Sequence, residues 1–325
     1  MKTAFITGAS GHIGANLIRA LLKKGWQIKC LVNEDERALK GLNIEKIKTS
    51  LFNEEGLTKI MTTCDVVFHA AAVIAVEKID IDYMKKVNID GTRIICNAAL
   101  KSKIKKLIYF SSIHAFQQYP FDQMLDEDRP LVKTPSTPPY DYTKSLAQQE
   151  VGKAIEKGLN ANILHPTGVI GPYDFKPSRM GQMLINIING KMPLLINAGF
   201  NWVDVRDVCI AAIDCIEKGT PGKNYILSGQ WTSFKTLSSI IENELGRKIN
   251  YGELPFYFLY LALPFSRLWS LITKKRELIN LGSIITLKDQ CRSISQKLSK
   301  KDLSYDPRPI ETTIRDTIQW ITINK

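Results

Sequence analysis

Tyr140-Asp141-Tyr142-Thr143-Lys144 opens a predicted helix after Pro138-Pro139, and its spacing selects one of two phenols. Tyr140 and Lys144 are i and i+4 and share a helix face, whereas Tyr142 is two residues from the lysine and points elsewhere. A phenol ionises near roughly pH 10, and a cation within several ångströms lowers that by about one to three units, toward proton exchange at neutral pH. Ser111-Ser112 is a second chemical group, placed just after the apolar run Lys106-Leu107-Ile108-Tyr109-Phe110. A third is Thr7-Gly8-Ala9-Ser10-Gly11-His12-Ile13-Gly14, in which Gly8 permits a tight turn and Gly11 lets backbone approach a pyrophosphate. Gly14 lets the following helix pack, and that helix's N-terminus offers N–H groups and positive dipole to the anion. Glycine triplets also serve ordinary turns. Here the strand before and the amphipathic helix after supply the context that a dinucleotide cradle requires.

The elements that must position these groups alternate. Thr3-Ala4-Phe5-Ile6 reads as a strand, residues 15–22 as an amphipathic helix ended by Gly25, and residues 26–32 as a second strand. Further strands are read at 65–70, 106–110 and 161–165, with helices near 80–101 and 140–157 between them. This rhythm predicts an α/β fold, a doubly wound parallel sheet of Rossmann type. In such a sheet ligands bind beyond the carboxyl ends of the strands, where Ser112 and the glycine turn both stand. After Pro166 the rhythm loosens into loops; a helix near 205–217 and a strand near 224–228 return to the sheet. The expected division is a nucleotide-binding domain over 1–165 with returning elements near 204–230, and a smaller, mainly helical substrate-binding region over 166–203 and 231–325.

In this order the motifs resemble the extended short-chain dehydrogenase/reductase family, which includes NAD-dependent epimerases and dehydratases, dihydroflavonol reductases and 3β-hydroxysteroid dehydrogenases. They are the glycine turn, Val67-Phe68-His69-Ala70-Ala71-Ala72, Val87-Asn88-Ile89-Asp90-Gly91-Thr92, Phe110-Ser111-Ser112, Tyr140 with Lys144, residues 166–172 and residues 203–208. The resemblance spans nearly the whole chain. Residues 171–178 and Tyr305-Asp306-Pro307-Arg308-Pro309 look most like the dihydroflavonol-reductase-like and hopanoid-associated sugar epimerase-like branch.

The resemblance implies a Ser112, Tyr140 and Lys144 triad. Tyr140 exchanges a proton with a carbonyl or hydroxyl oxygen, Ser112 hydrogen-bonds that oxygen, and Lys144 also holds the nicotinamide ribose. The implied cofactor contacts are Gly8, Ser10, Gly11, His12, Ile13, Gly14, Asn33, Arg37, Ser50, Leu51, His69, Ala70, Ala71, Asn88, Tyr140, Lys144, Pro166 and Val169. Asn88 supports the active-site helix. Asn33 stands where an Asp selects NAD or an Arg selects NADP. Glu34 and Asp35 repel a 2′-phosphate while Arg37 and Lys40 attract one, and the branch leans to NADP over NAD. The expected activity is NAD(P)-dependent interconversion of a carbonyl and a secondary alcohol on a small or medium, partly apolar substrate. The alternatives are a nucleotide-sugar epimerase using the same triad and a non-catalytic dinucleotide sensor. A 4,6-dehydratase is disfavoured, because Ile113-His114 stands where those enzymes carry Asp-Glu.

Composition fits an ordinary enzyme. The chain has 325 residues, 44% of them hydrophobic, and six scattered cysteines without a C-x-x-C, which argues for reduced thiols, no metal site and a cytoplasmic protein. Lys2 leads straight into the first strand, so no signal peptide is expected. The net charge of +12 is spread over many helix faces, and no nucleic-acid module is read from it. A homodimer is compatible with the reading. The most apolar stretch, Leu254 to Ile272, is interrupted by Pro264 and Arg267 and followed by Lys274-Lys275-Arg276. It is too broken to span a bilayer. A membrane interface suits its aromatics, but the favoured expectation is a lid or pocket wall for an apolar substrate.

Overall fold

A computed structural model describes residues 2–32, 34–74, 81–135, 139–192, 194–250, 252–273 and 281–324. The apolar runs near the start of the chain form β1 (Thr3–Thr7), β2 (Gln27–Leu31), β3 (Glu45–Ile47), β4 (Val66–His69), β5 (Lys106–Phe110) and β6 (Ala161–Pro166). Every residue of β1, β4, β5 and β6 is buried, as strands covered on both faces require. Then follow β7 (Gly168–Ile170), β8 (Leu194–Ile196), β9 (Gly199–Asp204), β10 (Asn224–Leu227), β11 (Gln230–Ser233) and β12 (Gly252–Leu254). Among the described residues, seven strands make one parallel sheet in the order β10-β6-β5-β4-β1-β2-β3. From β3 to β6 this is the dinucleotide-binding order, reversing at β1 and β4, where a crevice opens at the carboxyl ends.

The covering helices are α1 (His12–Lys23), α2 (Glu54–Met61), α3 (Ile81–Lys85), α4 (Gly91–Lys101), α5 (Pro139–Glu156), α6 (Arg179–Ile188) and α7 (Val205–Lys218). The single helix expected near 80–101 is divided. A wider π-type turn over Lys86–Asp90 separates α3 from α4, placing Asn88 where its side chain reaches two other segments. On one face of the sheet Ile6, Leu17, Phe68 and Phe110 pack with Val208 and Cys215 of α7; on the other, Phe5, Val67 and Tyr109 pack with Ile95 of α4 and Ala147 of α5.

A second core is built on β9, which pairs with β7 and antiparallel β11. Phe200, Trp202 and Phe234 cluster edge to face there, and the Trp202 indole donates to the Thr232 carbonyl at 3.0 Å. The remaining helices are α8 (Phe234–Leu245), α9 (Phe258–Thr273), α10 (Leu281–Lys288), α11 (Lys297–Leu303) and α12 (Ile310–Ile323). Leu303 and Tyr305 pack into the nucleotide-side core, so that core draws on residues beyond the expected return at 204–230. The Val203–Val208 motif is a junction: Asp204 caps α7 and pairs with Arg206, while Asp207 accepts from Arg308 at 2.6 Å. Their neighbouring guanidinium holds the Asp204 carboxyl below its ordinary value despite burial.

The stretch expected to wall a pocket behaves differently. Within α9 only Leu259, Ser266 and Ser270 are buried, and most of the large apolar side chains, Phe265, Leu268, Trp269, Leu271 and Ile272 among them, are exposed. Among the described residues no helix is long and apolar enough to cross a membrane. The basic run at 274–276 lies outside them.

Candidate active site

The glycine turn sits against the exit of β4. Gly8 has φ +73°, and a Cβ there would stand 2.6 Å from the Ala70 carbonyl and the Ala71 nitrogen. A Cβ on Gly14 would collide with the Gly8 carbonyl oxygen. Gly11 is the N-cap of α1 at an ordinary φ of −76°, and no side chain caps the helix. The first-turn N–H groups, including those of His12 and Ile13, are thus left for an anion, beside the Ser10 backbone. This cradle fits the pyrophosphate of a dinucleotide. His12 itself turns away: its Nε2 lies 3.1 Å from the Pro172 carbonyl, and Asn16 donates to the same oxygen, fastening α1 to the loop after β7.

His69 does not reach the crevice. It is 1% exposed, its Nδ1 lies 2.6 Å from Thr7 Oγ1 and its Nε2 lies 3.0 Å from Thr92 Oγ1. Because Thr92 donates its hydroxyl proton to the Asn88 carbonyl, it must accept from His69 Nε2–H, and Thr7 in turn donates to Nδ1. Burial pushes the imidazole down to about 3, so it is neutral. The expected cofactor contact is therefore corrected to a packed histidine in a relay of hydroxyls. Asn88 continues the relay: its amide accepts from Val73 N–H at 2.7 Å, and donates to the Val73 carbonyl and to Thr143 Oγ1 at 3.1 Å. Thr143 adjoins Lys144, so the relay ties β4 and the π-type turn to α5.

Ser112 and Tyr140 come together beyond the carboxyl end of β5, close enough for the Ser112 hydroxyl to favour the ionised phenol. Ser112 Oγ also accepts from the His114 backbone N–H at 3.2 Å. Lys144 stands one turn after Tyr140, 2% exposed, and donates to the Phe110 carbonyl at 2.7 Å and to the Tyr109 hydroxyl at 3.0 Å. No sequence motif marks Tyr109 as a site residue, although alternation along β5 places it on the face that α5 covers. The expected electrostatics differ. Burial pushes the Tyr140 phenol above its ordinary value, and burial holds Lys144 down to about 7 from 10.5. Desolvation outweighs the attraction that spacing alone suggests, so the phenol here is a neutral O–H.

Other expected contacts distribute around the crevice. Ala70 and Ala71 line the glycine turn, Pro166 ends β6 and Val169 lies in β7. Ser50 and Leu51 follow β3; Ser50 Oγ accepts from Phe52 N–H, and Leu51 packs over Gly91. Asn33 lies outside the described residues. Arg37 is held by Asp35, with contacts of 2.9 and 2.7 Å, and that guanidinium lowers the Asp35 carboxyl to about 2. Two histidines flank Ser112: His114 Nδ1 lies 3.8 Å from Asp141 Oδ2, and His165 Nδ1 lies 3.1 Å from the Ser112 carbonyl. Neither partner was legible, because both pairings join distant segments. Among the described residues no acidic, histidine or cysteine cluster could hold a metal.

The family model described as "NAD dependent epimerase/dehydratase family" matches residues 4–228. The chain is 26% identical to sterol demethylase protein B of Methylococcus capsulatus, over 98% of each chain. It is 28% identical to a putative dihydroflavonol 4-reductase of Synechocystis, over 97% of this chain and 93% of the other. The crystal structure of gox2253 superposes with a TM-score of 0.85 at 29% identity, covering 100% of this chain and 99% of that one. Glycine cradle, sheet order and sequence agree: the chain belongs to the NAD dependent epimerase/dehydratase family, and is an extended short-chain enzyme that uses a nicotinamide dinucleotide.

Proposed function

We propose that the enzyme interconverts a carbonyl and a secondary alcohol on a small or medium, partly apolar substrate, through Ser112, Tyr140 and Lys144. The Ser112 hydroxyl beside the Tyr140 phenol beyond the end of β5, with buried Lys144 one helical turn further along α5, carries this reading. The Gly8 to Gly14 turn would hold the pyrophosphate, with Ala70, Ala71, Pro166 and Val169 around the rest of the dinucleotide. When bound, the nicotinamide supplies the redox chemistry. Tyr140 gives its proton to the substrate oxygen in reduction or takes it back in oxidation, and Ser112 orients that oxygen. A phenol kept neutral by burial suits the reductive direction. Asn88 and Thr143 hold α5, and hence Tyr140 and Lys144, in register. Similarity to a sterol demethylase protein and to a putative dihydroflavonol 4-reductase favours an apolar ring-bearing substrate over a nucleotide sugar.

The test compares Tyr140→Phe with Tyr142→Phe. Loss of the Tyr140 oxygen should lower turnover by roughly 10² to 10⁴ with little change in cofactor affinity, while Tyr142→Phe stays mild. A dead Tyr142→Phe beside an active Tyr140→Phe overturns the assignment. Isomer exchange on a retained dinucleotide, without net cofactor consumption, makes the enzyme an epimerase instead.

A further inference from the structure

Helix α9 is built inside out. Along the face it turns to the protein stand Leu259, Ser266 and Ser270, at 5%, 6% and 3% exposure. Outward stand Phe265, Leu268, Trp269, Leu271 and Ile272, between 49% and 74% exposed. Together with Tyr257, Phe258, Tyr260 and Leu261 they are nine of the nineteen exposed large hydrophobic side chains among the described residues, gathered within one helix and the residue before it. A soluble helix of this length normally shows the reverse arrangement. Scattered apolar residues on a surface need no explanation, but a contiguous patch of this density marks an interaction site.

The chemistry of the patch says what covers it. Leu254 to Arg276 contains Arg267, Lys274, Lys275 and Arg276 and no acidic residue, in a chain whose net charge is +12. Tyr257, Tyr260 and Trp269 are side chains with an apolar body and a polar tip, which settle at the headgroup level of a bilayer. The sixteen residues of α9 extend about 24 Å, short of the roughly 30 Å hydrocarbon core, and Pro264 and Arg267 sit in mid-helix. Such a helix lies in the interface instead of crossing it. The geometry points to α9 as a peripheral membrane-docking element, whose outward aromatic and aliphatic side chains enter the interface of an anionic bilayer, to which exposed Arg267 and the chain's net positive charge attract it. This docking is independent of which substrate the crevice takes.

Flotation of the full chain with vesicles tests it. The probe is phosphatidylcholine, alone or with about 30% phosphatidylglycerol, at low salt and at about 0.5 M salt. The variant is Phe265→Ser/Trp269→Ser/Ile272→Ser, whose side chains are 74%, 49% and 72% exposed, so the fold should tolerate the changes. Dinucleotide binding and circular dichroism confirm that it does. The parent should float with the anionic vesicles and partly resist salt, and the variant should bind them at least about tenfold more weakly. A parent that stays unbound overturns the proposal, as does a variant that floats as well as the parent. A parent that self-associates through this face, losing that association in the variant without ever binding vesicles, assigns the patch to a second copy of the chain and overturns it too.

Discussion

Replacing Lys144 with methionine should raise stability in mild acid while abolishing turnover. Burial holds the lysine at about 7 against 10.5 in the unfolded chain. Each unit is worth about 1.4 kcal/mol, so near pH 6 the buried ammonium costs the fold about 4 to 5 kcal/mol. Methionine keeps the length and removes the charge, but strips a donor from the Phe110 carbonyl and the Tyr109 hydroxyl. Those lost hydrogen bonds cost about 1 to 3 kcal/mol, leaving the variant ahead by about 2 kcal/mol near pH 6. Between 7 and 10.5 the unfolded chain keeps a proton that the folded chain has released, so the parent's stability rises with pH. By about pH 9 the parent has recovered about 2 to 3 kcal/mol and the two proteins are nearly level. His69 and His165 titrate below this window, at about 3 and 4, and Cys30, Cys96 and Cys215 above it, at about 11, 12 and 12. Urea unfolding of both proteins at the two pH values measures the gap. A gap of the same size at both would refute the reasoning, because Lys144 would then not lose its proton within the folded site.

Gly11→Val should abolish dinucleotide binding measured by fluorescence titration while circular dichroism stays native. The residue has an ordinary φ, and an added Cβ meets only the Gly8 carbonyl oxygen at 3.2 Å, so the damage falls on the anion site; unchanged affinity sinks the cradle. Asp35→Asn should release Arg37 and improve NADP binding relative to NAD by roughly 2- to 10-fold, a gain erased in the double variant with Arg37→Ala. No change in the cofactor ratio would show that Arg37 lies out of reach of the ribose. Asn88→Ala should lower turnover more than dinucleotide affinity, since it frees α5 at Thr143 while leaving the glycine turn intact, and an equal loss in both would assign Asn88 to the cofactor.

Local periodicity made much of this protein legible in its sequence. The glycine turn, the strands that alternate with helices, and the i, i+4 pairing of Tyr140 with Lys144 all depend on residues a few positions apart, and backbone geometry alone dictates where they point. The partners of those groups depend on segments far apart in the chain. Thr7, His69 and Thr92 meet only because β1 and β4 lie side by side beneath α4. Lys144 finds Tyr109, and His114 finds Asp141, because α5 packs across β5. The protonation states followed from packing as well: spacing predicted a phenol acidified by its lysine, but desolvation dominates once Lys144 is buried and Tyr140 half-buried. The orientation of α9 was the least legible feature. Its composition is apolar on nearly every side, so its period could not say which face turns inward, and only tertiary packing decided that Leu259 and two serines would be covered while the aromatic side was left to solvent.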